Sequence, residues 1–175
     1  MKEIRRLHAD EIDARAAQVM ESGAVLLLYK DARVDQRILD ETFGSMNWKR
    51  SHQEIAGNLF CTVEIWDDEK KQWIAKQDVG TESYTEAEKG QASDSFKRAC
   101  FNVGIGRELY TAPFIWVKAA SIAESGGEVY KNAKGKWQLK GVAPKVDSIT
   151  YDAKGNIQSL VISNKGKVIY SKGVR

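Results

Sequence analysis

The sequence predicts an α+β protein: an antiparallel β-β-β-α core, helices on its N-terminal side and a β meander at its C-terminal end. Three observations predict it. Between Trp48 and Val79 three strand-length runs are separated by turn-like segments, and the middle one, Asn58–Trp66, alternates apolar and polar residues. Glu88–Tyr110 (EKGQASDSFKRACFNVGIGRELY) then switches to a helical spacing and closes on glycines. Beyond residue 128, tight-turn tetrads NAKG (Asn132–Gly135), DAKG (Asp152–Gly155) and NKGK (Asn164–Lys167) punctuate short β-prone runs. The expected division is a core domain over 1–120 and a basic, β-rich extension over 121–175, packed on the core.

Taken in order, Asp10–Ser22 carries Ile12, Ala16, Val19 and Met20 at helical spacing, with Gly23 as its stop. Ala24–Lys30 (AVLLLYK) reads as a strand. Val34–Phe43 is a second helix with Val34, Ile38, Leu39 and Phe43 on one stripe, closed by Gly44. Trp48–Ile55, Asn58–Trp66 and Trp73–Val79 are the three strands; in the second, Leu59, Cys61, Val63 and Ile65 share a face. Asp67–Lys71 (DDEKK) is a charged turn. Thr85, with Glu88 three residues later, has capping-box spacing for the next helix. That helix buries Ala92, Phe96, Ala99, Cys100 and Val103. Pro113 precedes a short strand, Phe114–Lys118, and Ser121–Glu128 (SIAESGGE) reads as a loop.

A chain of 175 residues, 42% hydrophobic and 29% charged, suffices for a core without metals or disulfides. Cys61 and Cys100 lack CxxC spacing and read as small core residues, and with His8 and His52 they show no zinc-ligand spacing. Met1–His8 is polar and charged, unlike a leader. The longest apolar run, Ala24–Tyr29, is far short of the ~20 residues of a membrane span. A cytoplasmic protein of a bacterium or of a phage-infected host is expected, with no membrane partner. Charge is uneven. From Val129 to Arg175 there are ten Lys/Arg and two Asp; the remaining residues hold seventeen basic and twenty-two acidic. A basic C-terminal third fits a polyanion partner. It fits equally a lysine-rich sheet whose edges resist aggregation.

The carboxylates Asp78, Asp94 and Glu108 are scattered. Ser93 and Ser95 lack a nucleophile-elbow context, and neither histidine has a partner in sequence. No enzyme and no cofactor are expected. GIGR (Gly104–Arg107) follows a helix instead of opening one, so it reads as a helix stop rather than a phosphate loop. Arg107 beyond it is in reach of a phosphate or of the last helix carbonyls. Lys97 and Arg98 fall off the apolar stripe of their helix, which Lys89 opens. Arg33 and Arg37 flank the start of the earlier helix, and Lys49 and Arg50 follow Trp48. Cations tracking phosphates beside aromatics (Trp48, Trp66, Trp73) are how single strands are held. A solvated helix face and tryptophans packed in a core explain the same pattern.

FGSMNW (Phe43–Trp48), the hairpin ending in DVG (Asp78–Gly80) and EKGQASDSFKRA (Glu88–Ala99) resemble the Rad-fifty-two/Rad-twenty-two-like single-strand annealing proteins, nearest to the phage and prophage Sak-type recombination proteins. The resemblance runs from about Leu27 to Trp116. It implies annealing of complementary single-stranded DNA in recombination and repair, without nucleotide or metal. It also implies a closed homo-oligomeric ring with DNA wound in a basic groove, and a host or phage single-strand-binding protein as a further partner. The family's groove Lys-Arg pair falls on Lys97 and Arg98, and its groove arginine near Arg33. The lysines of its outer DNA site fall on Lys70 and Lys71. One departure is Phe101, which stands where eukaryotic relatives carry a further arginine; Arg107 is the nearest substitute. The acidic recruitment tail of larger relatives has no counterpart. Three other readings stay open at this stage. They are a double-stranded-RNA module of α-β-β-β-α order, a metal-dependent recombination nuclease, and a ring-forming scaffold that binds no nucleic acid.

Overall fold

Asp31 starts the first helix of the chain. Its Oδ1 accepts the Arg33 N–H at 2.7 Å, which satisfies one of the orphan donors of a helix start. Helix α1 (Ala32–Phe43) follows, with Val34, Ile38 and Leu39 buried, and Gly44 N–H closes it on the Asp40 carbonyl. A computed structural model describes residues 3–81 and 87–173, the side chains of 87–89 excepted. Three antiparallel strands come next in chain order, numbered here β3 (Trp48–Ile55), β4 (Asn58–Asp67) and β5 (Gln72–Val79), β1 and β2 being Asp13–Met20 and Gly23–Tyr29 earlier in the chain. Ala56 and Gly57, both at positive φ, form the two-residue turn between β3 and β4. Helix α2 (Ala87–Val103) lies against β4 and β5, where Phe96, Ala99 and Cys100 share a core with Cys61 and Val63. Burying Phe96 completely contributes about 2–3 kcal/mol.

The glycine of DVG permits that packing. A Cβ on Gly80 would stand 2.2 Å from the Gln91 carbonyl oxygen, so only glycine lets the strand end and the α2 backbone approach so closely. The Thr85 cap expected for α2 lies outside the described residues. The helix ends at Val103, earlier than Tyr110. Gly104 and Ile105 both return their N–H groups to the Cys100 carbonyl, and Arg107–Thr111 forms a separate 3-10 turn.

The remaining elements are β6 (Ile115–Lys118), α3 (Ala119–Glu124), β7 (Glu128–Lys131), β8 (Trp137–Lys140), β9 (Pro144–Tyr151), β10 (Ile157–Asn164) and β11 (Lys167–Lys172). Among the described residues, six strands make one sheet in the order β11-β10-β9-β1-β2-β6, and β7 and β8 pair with each other. The six-stranded sheet buries Ala24, Leu26, Ile115, Val117, Val146, Leu160 and Ile162. Glu108 is buried, and its Oε1 accepts the Leu7 N–H at 2.7 Å; Tyr151 donates its hydroxyl to the Leu7 carbonyl.

Two expected elements differ. Asp10–Ser22 is a 3-10 turn (Ala9–Glu11) followed by β1, not a helix. In its pairing with β2, Ala16 faces Leu26 and Gln18 faces Val25, so Ala17 is an extra residue. That bulge breaks the period of two and leaves apolar residues at a spacing that imitates 3.6. Gly23 accordingly sits in β2 rather than stopping a helix. A Cβ there would meet the Val117 carbonyl oxygen at 2.2 Å. Ser121–Glu128, expected as a loop, holds most of α3. Ala119, Ala120 and Ala123 favour helix, Ile122 anchors it in the core, and Gly126–Gly127 end it.

The chain divides into two compact units: Met1–Arg6 with Asp31–Arg107, and Leu7–Lys30 with Glu108–Arg175. The boundary expected at 120/121 falls inside the second, because β1, β2 and β6 hydrogen-bond into the sheet of β9–β11. The α+β class therefore holds, and β9–β11 form the meander, but the N-terminal side carries one helix (α1) before β3 instead of two. Among the described residues no helix is long and apolar enough to cross a membrane.

Candidate nucleic-acid interface

Adjacent residues of a helix point about 100° apart, and this separates Lys97 from Arg98. Both are half-buried. Arg98 shares the row of Gln91, Asp94 and Asn102 that runs along the end of β5. Gln91 Nε2 donates to the Gly80 carbonyl. Asp94 Oδ2 accepts from the Thr81 N–H and hydroxyl. Arg98 Nε donates to Asp78 Oδ1 at 3.3 Å, and Asn102 Nδ2 donates to Asp78 Oδ2 at 3.1 Å and to the Gln77 carbonyl at 3.0 Å. The aspartate of DVG is thus the partner of the arginine of KRA. With 41% of the Arg98 side chain exposed, the pair is open to solvent on one side.

Helix α1 packs against α2, and the charge of Lys97, with that of Arg33, bears on Asp31 at the start of α1. The carboxyl of Asp31 is held below the usual aspartate range, first by the hydrogen bond from the Arg33 N–H and then by these cations. Arg33 Nε also donates to Asp31 Oδ1 at 3.1 Å, and its side chain is 85% exposed. Arg33 pairs with Asp31, and Lys97, 64 positions beyond Arg33 in sequence, adds a weaker through-space attraction to the same carboxylate. Arg37 is exposed on the same helix as Arg33.

Strand alternation divides the Trp48–Lys49–Arg50 run. Trp48 stacks on Phe96 with ring centroids 6.2 Å apart and donates its indole N–H to Asp40 at 2.7 Å. Arg50, two residues on and exposed, lies over the same Phe96 ring at 4.6 Å. His52 Nε2 is 3.2 Å from the Ala92 carbonyl. Trp48, Arg50 and His52 thus line the α2 side of the sheet. Lys49 points to the other face, where it lies 4.3 Å over Trp73 and 3.5 Å from Glu64. Trp73 meets Trp66 edge-on at 5.5 Å.

Lys70 and Lys71 cap the far end of the β4–β5 hairpin. Asp67 Oδ1 accepts the Glu69 and Lys70 N–H groups, and Lys70 Nζ lies 3.8 Å from Asp67 Oδ2. Arg107 closes α2: Nε donates to the Phe101 carbonyl at 2.9 Å and Nη2 to the Asn102 carbonyl at 3.0 Å. Both donors serve the helix end, whose partial negative charge favours a cation. The Lys89 side chain lies outside the described residues.

The ten expected cations therefore do not form one patch. Arg33, Lys97, Arg98 and Arg50 flank α2 on the face that carries it. Lys49 is on the opposite sheet face, Lys70 and Lys71 are at a hairpin tip, and Arg107 is a cap. Sequence reasoning missed Asp78 and Asp31 as partners of these cations. The only signal for Asp78 was its place in DVG at the end of a strand. Cys61 and Cys100 are buried, as expected, and burial pushes the Cys61 thiol up to about 11.

The first unit is a three-stranded antiparallel sheet with the cation-bearing helix α2 against one face. Comparison with protein-family models, with curated proteins and with solved structures finds no match.

Proposed function

We propose that the chain binds single-stranded DNA and anneals complementary strands without ATP, acting as an oligomer in recombination and repair. The observation that carries this reading is the convergence of Arg33, Arg50, Lys97 and Arg98, from three separate elements, on the two flanks of α2. The β3-β4-β5-α2 order, the DVG glycine under α2 and the KRA pair support the resemblance to the single-strand annealing proteins, and with it the ring. The work is positioning rather than bond making. Cations neutralise the phosphates of two strands that otherwise repel, counterion release supplies sequence-independent affinity, and base pairing supplies all selectivity. Repetition round an oligomer multiplies weak contacts along one strand. Complementary fluorescent oligonucleotides mixed without ATP, alongside a native mass of the assembly, test it. Accelerated annealing by an oligomer is the expected result, and a monomer that leaves annealing at the spontaneous rate refutes it.

One observation favours a second reading. The order α1-β3-β4-β5-α2 within the first unit is that of a double-stranded-RNA module. Such a module prefers A-form duplex through 2′-hydroxyl and phosphate contacts. Competition between single-stranded DNA and duplex RNA for the protein separates the two.

A further inference from the structure

The two-residue-offset turns of the second unit form a natural control. Asn132 Oδ1 accepts the N–H groups of Lys134 and Lys136, and Asp152 Oδ1 accepts those of Lys154 and Asn156. The backbone bonds match as well: Asn132 N–H to Lys136 O and Gly135 N–H to Asn132 O, against Asp152 N–H to Asn156 O and Gly155 N–H to Asp152 O, all 2.9 Å. One turn is Lys-Asn-Ala-Lys-Gly-Lys-Trp (131–137) and the other Tyr-Asp-Ala-Lys-Gly-Asn-Ile (151–157). The first holds three lysines and no acid; in the second Lys154 is balanced by Asp152. The same turn folds without net charge, so the turn does not require the extra lysines.

The charged copy tips the β7–β8 hairpin, which also ends in Lys140 and is fastened to the second unit through α3 and β1. Lys131, Lys134, Lys136 and Lys140 are all exposed. None has a carboxylate partner among the described residues, whereas Arg5, Arg33, Lys49, Lys70 and Arg98 of the first unit each have one. The single acid of the hairpin, Glu128, stands opposite Lys140 in register. Two half-buried aromatics lie among the cations. Lys131 Nζ is 5.7 Å over the Trp137 ring, and the Tyr130 hydroxyl donates to Gln138 at 2.9 Å. Uncompensated cations interleaved with aromatic rings on an extended ribbon fit a single-stranded nucleic acid, phosphates to the lysines and a base to the indole.

We infer that the β7–β8 hairpin is a second single-strand contact, carried by Lys131, Lys134, Lys136 and Lys140 with Trp137 as a stacking ring. It is distinct from the flanks of α2 and does not require annealing activity. The test is the full chain with Lys131→Gln, Lys134→Gln, Lys136→Asn and Lys140→Gln together, binding labelled oligothymidine by anisotropy across a salt series. Asn at 136 copies the neutral turn, and an unchanged thermal transition verifies the fold. The expected result is at least tenfold weaker binding and a log–log salt slope smaller by about 2–3, at roughly 0.7 per lost phosphate contact. Trp137→Ile, again copied from the neutral turn, weakens binding with the slope unchanged. A wild-type chain that binds oligothymidine while the fourfold variant matches it in affinity and slope overturns this inference alone. A wild-type chain that binds through the hairpin yet does not anneal overturns the annealing reading alone. Binding of polyglutamate in preference to oligothymidine overturns the inference in favour of an acidic polypeptide partner.

Discussion

The carboxylate of Asp78 competes with any phosphate for Arg98, and removing it makes the competition measurable. Asp78→Asn keeps an amide oxygen for the N–H of Val79, which now donates to Asp78 Oδ1 at 2.8 Å. It removes the charge that holds Arg98 at 3.3 Å. With 41% of Arg98 and 23% of Asp78 exposed, the pair belongs with solvent-screened ion pairs worth up to about 1 kcal/mol. One kcal/mol is about a fivefold change in an equilibrium constant. Asp78→Asn is therefore expected to tighten oligothymidine binding by up to about fivefold at low salt. Arg98→Ala is expected to weaken it and to lower the salt slope by about 0.7. The double variant should match Arg98→Ala, because the other side chain that Asp78→Asn releases, Asn102, carries no charge for a phosphate. Anisotropy titrations on the four proteins complete the cycle, with thermal melting to verify the fold. Two results refute the reasoning: Asp78→Asn tightening binding equally when Arg98 is already alanine, or Arg98→Ala leaving affinity and slope unchanged.

Phe96→Ala, which empties the ring that Trp48 and Arg50 cover, is expected to cost about 3–5 kcal/mol in denaturant unfolding; a loss under 1 kcal/mol contradicts the packing described for α2. Asp31→Ala removes the α1 cap and should destabilise by about 1 kcal/mol near neutral pH. Its folded carboxyl is held below the ordinary value, so the stability it contributes is present above about pH 4 and disappears as pH falls through the folded value. The difference between wild type and Asp31→Ala should therefore shrink in acid, and a difference constant down to pH 2 contradicts it. Cys61, buried with its thiol pushed up to about 11, should react with iodoacetamide at pH 8 far more slowly in the native chain than in denaturant, as mass mapping of the modified peptide reads; equal rates contradict its burial.

Much of the first unit was legible from periodicity. β3 has its expected bounds, and α1, β4 and β5 fall within two residues of expectation; α1 and β4 carry a regular apolar face, and turns separate the three strands. β1 was not legible, since a single extra residue at Ala17 converts a strand pattern into a helical one. The candidate cations were visible by type, but their grouping was not. Lys49 and Arg50 are neighbours in sequence and lie on opposite faces of a sheet, while Arg98 and Asp78 are twenty residues apart and form an ion pair.

The amino-acid order alone determined the α+β class, the strand-and-turn rhythm, the buried cysteines and the uneven charge, all of which follow from local spacing and composition. Only tertiary structure decided that β1, β2 and β6 join the C-terminal strands in one sheet, that Asp78 holds Arg98, and that four lysines of one hairpin form no ion pair among the described residues. Hydrogen-bond ladders and ion pairs join residues by distance in space, and local spacing carries no record of that distance.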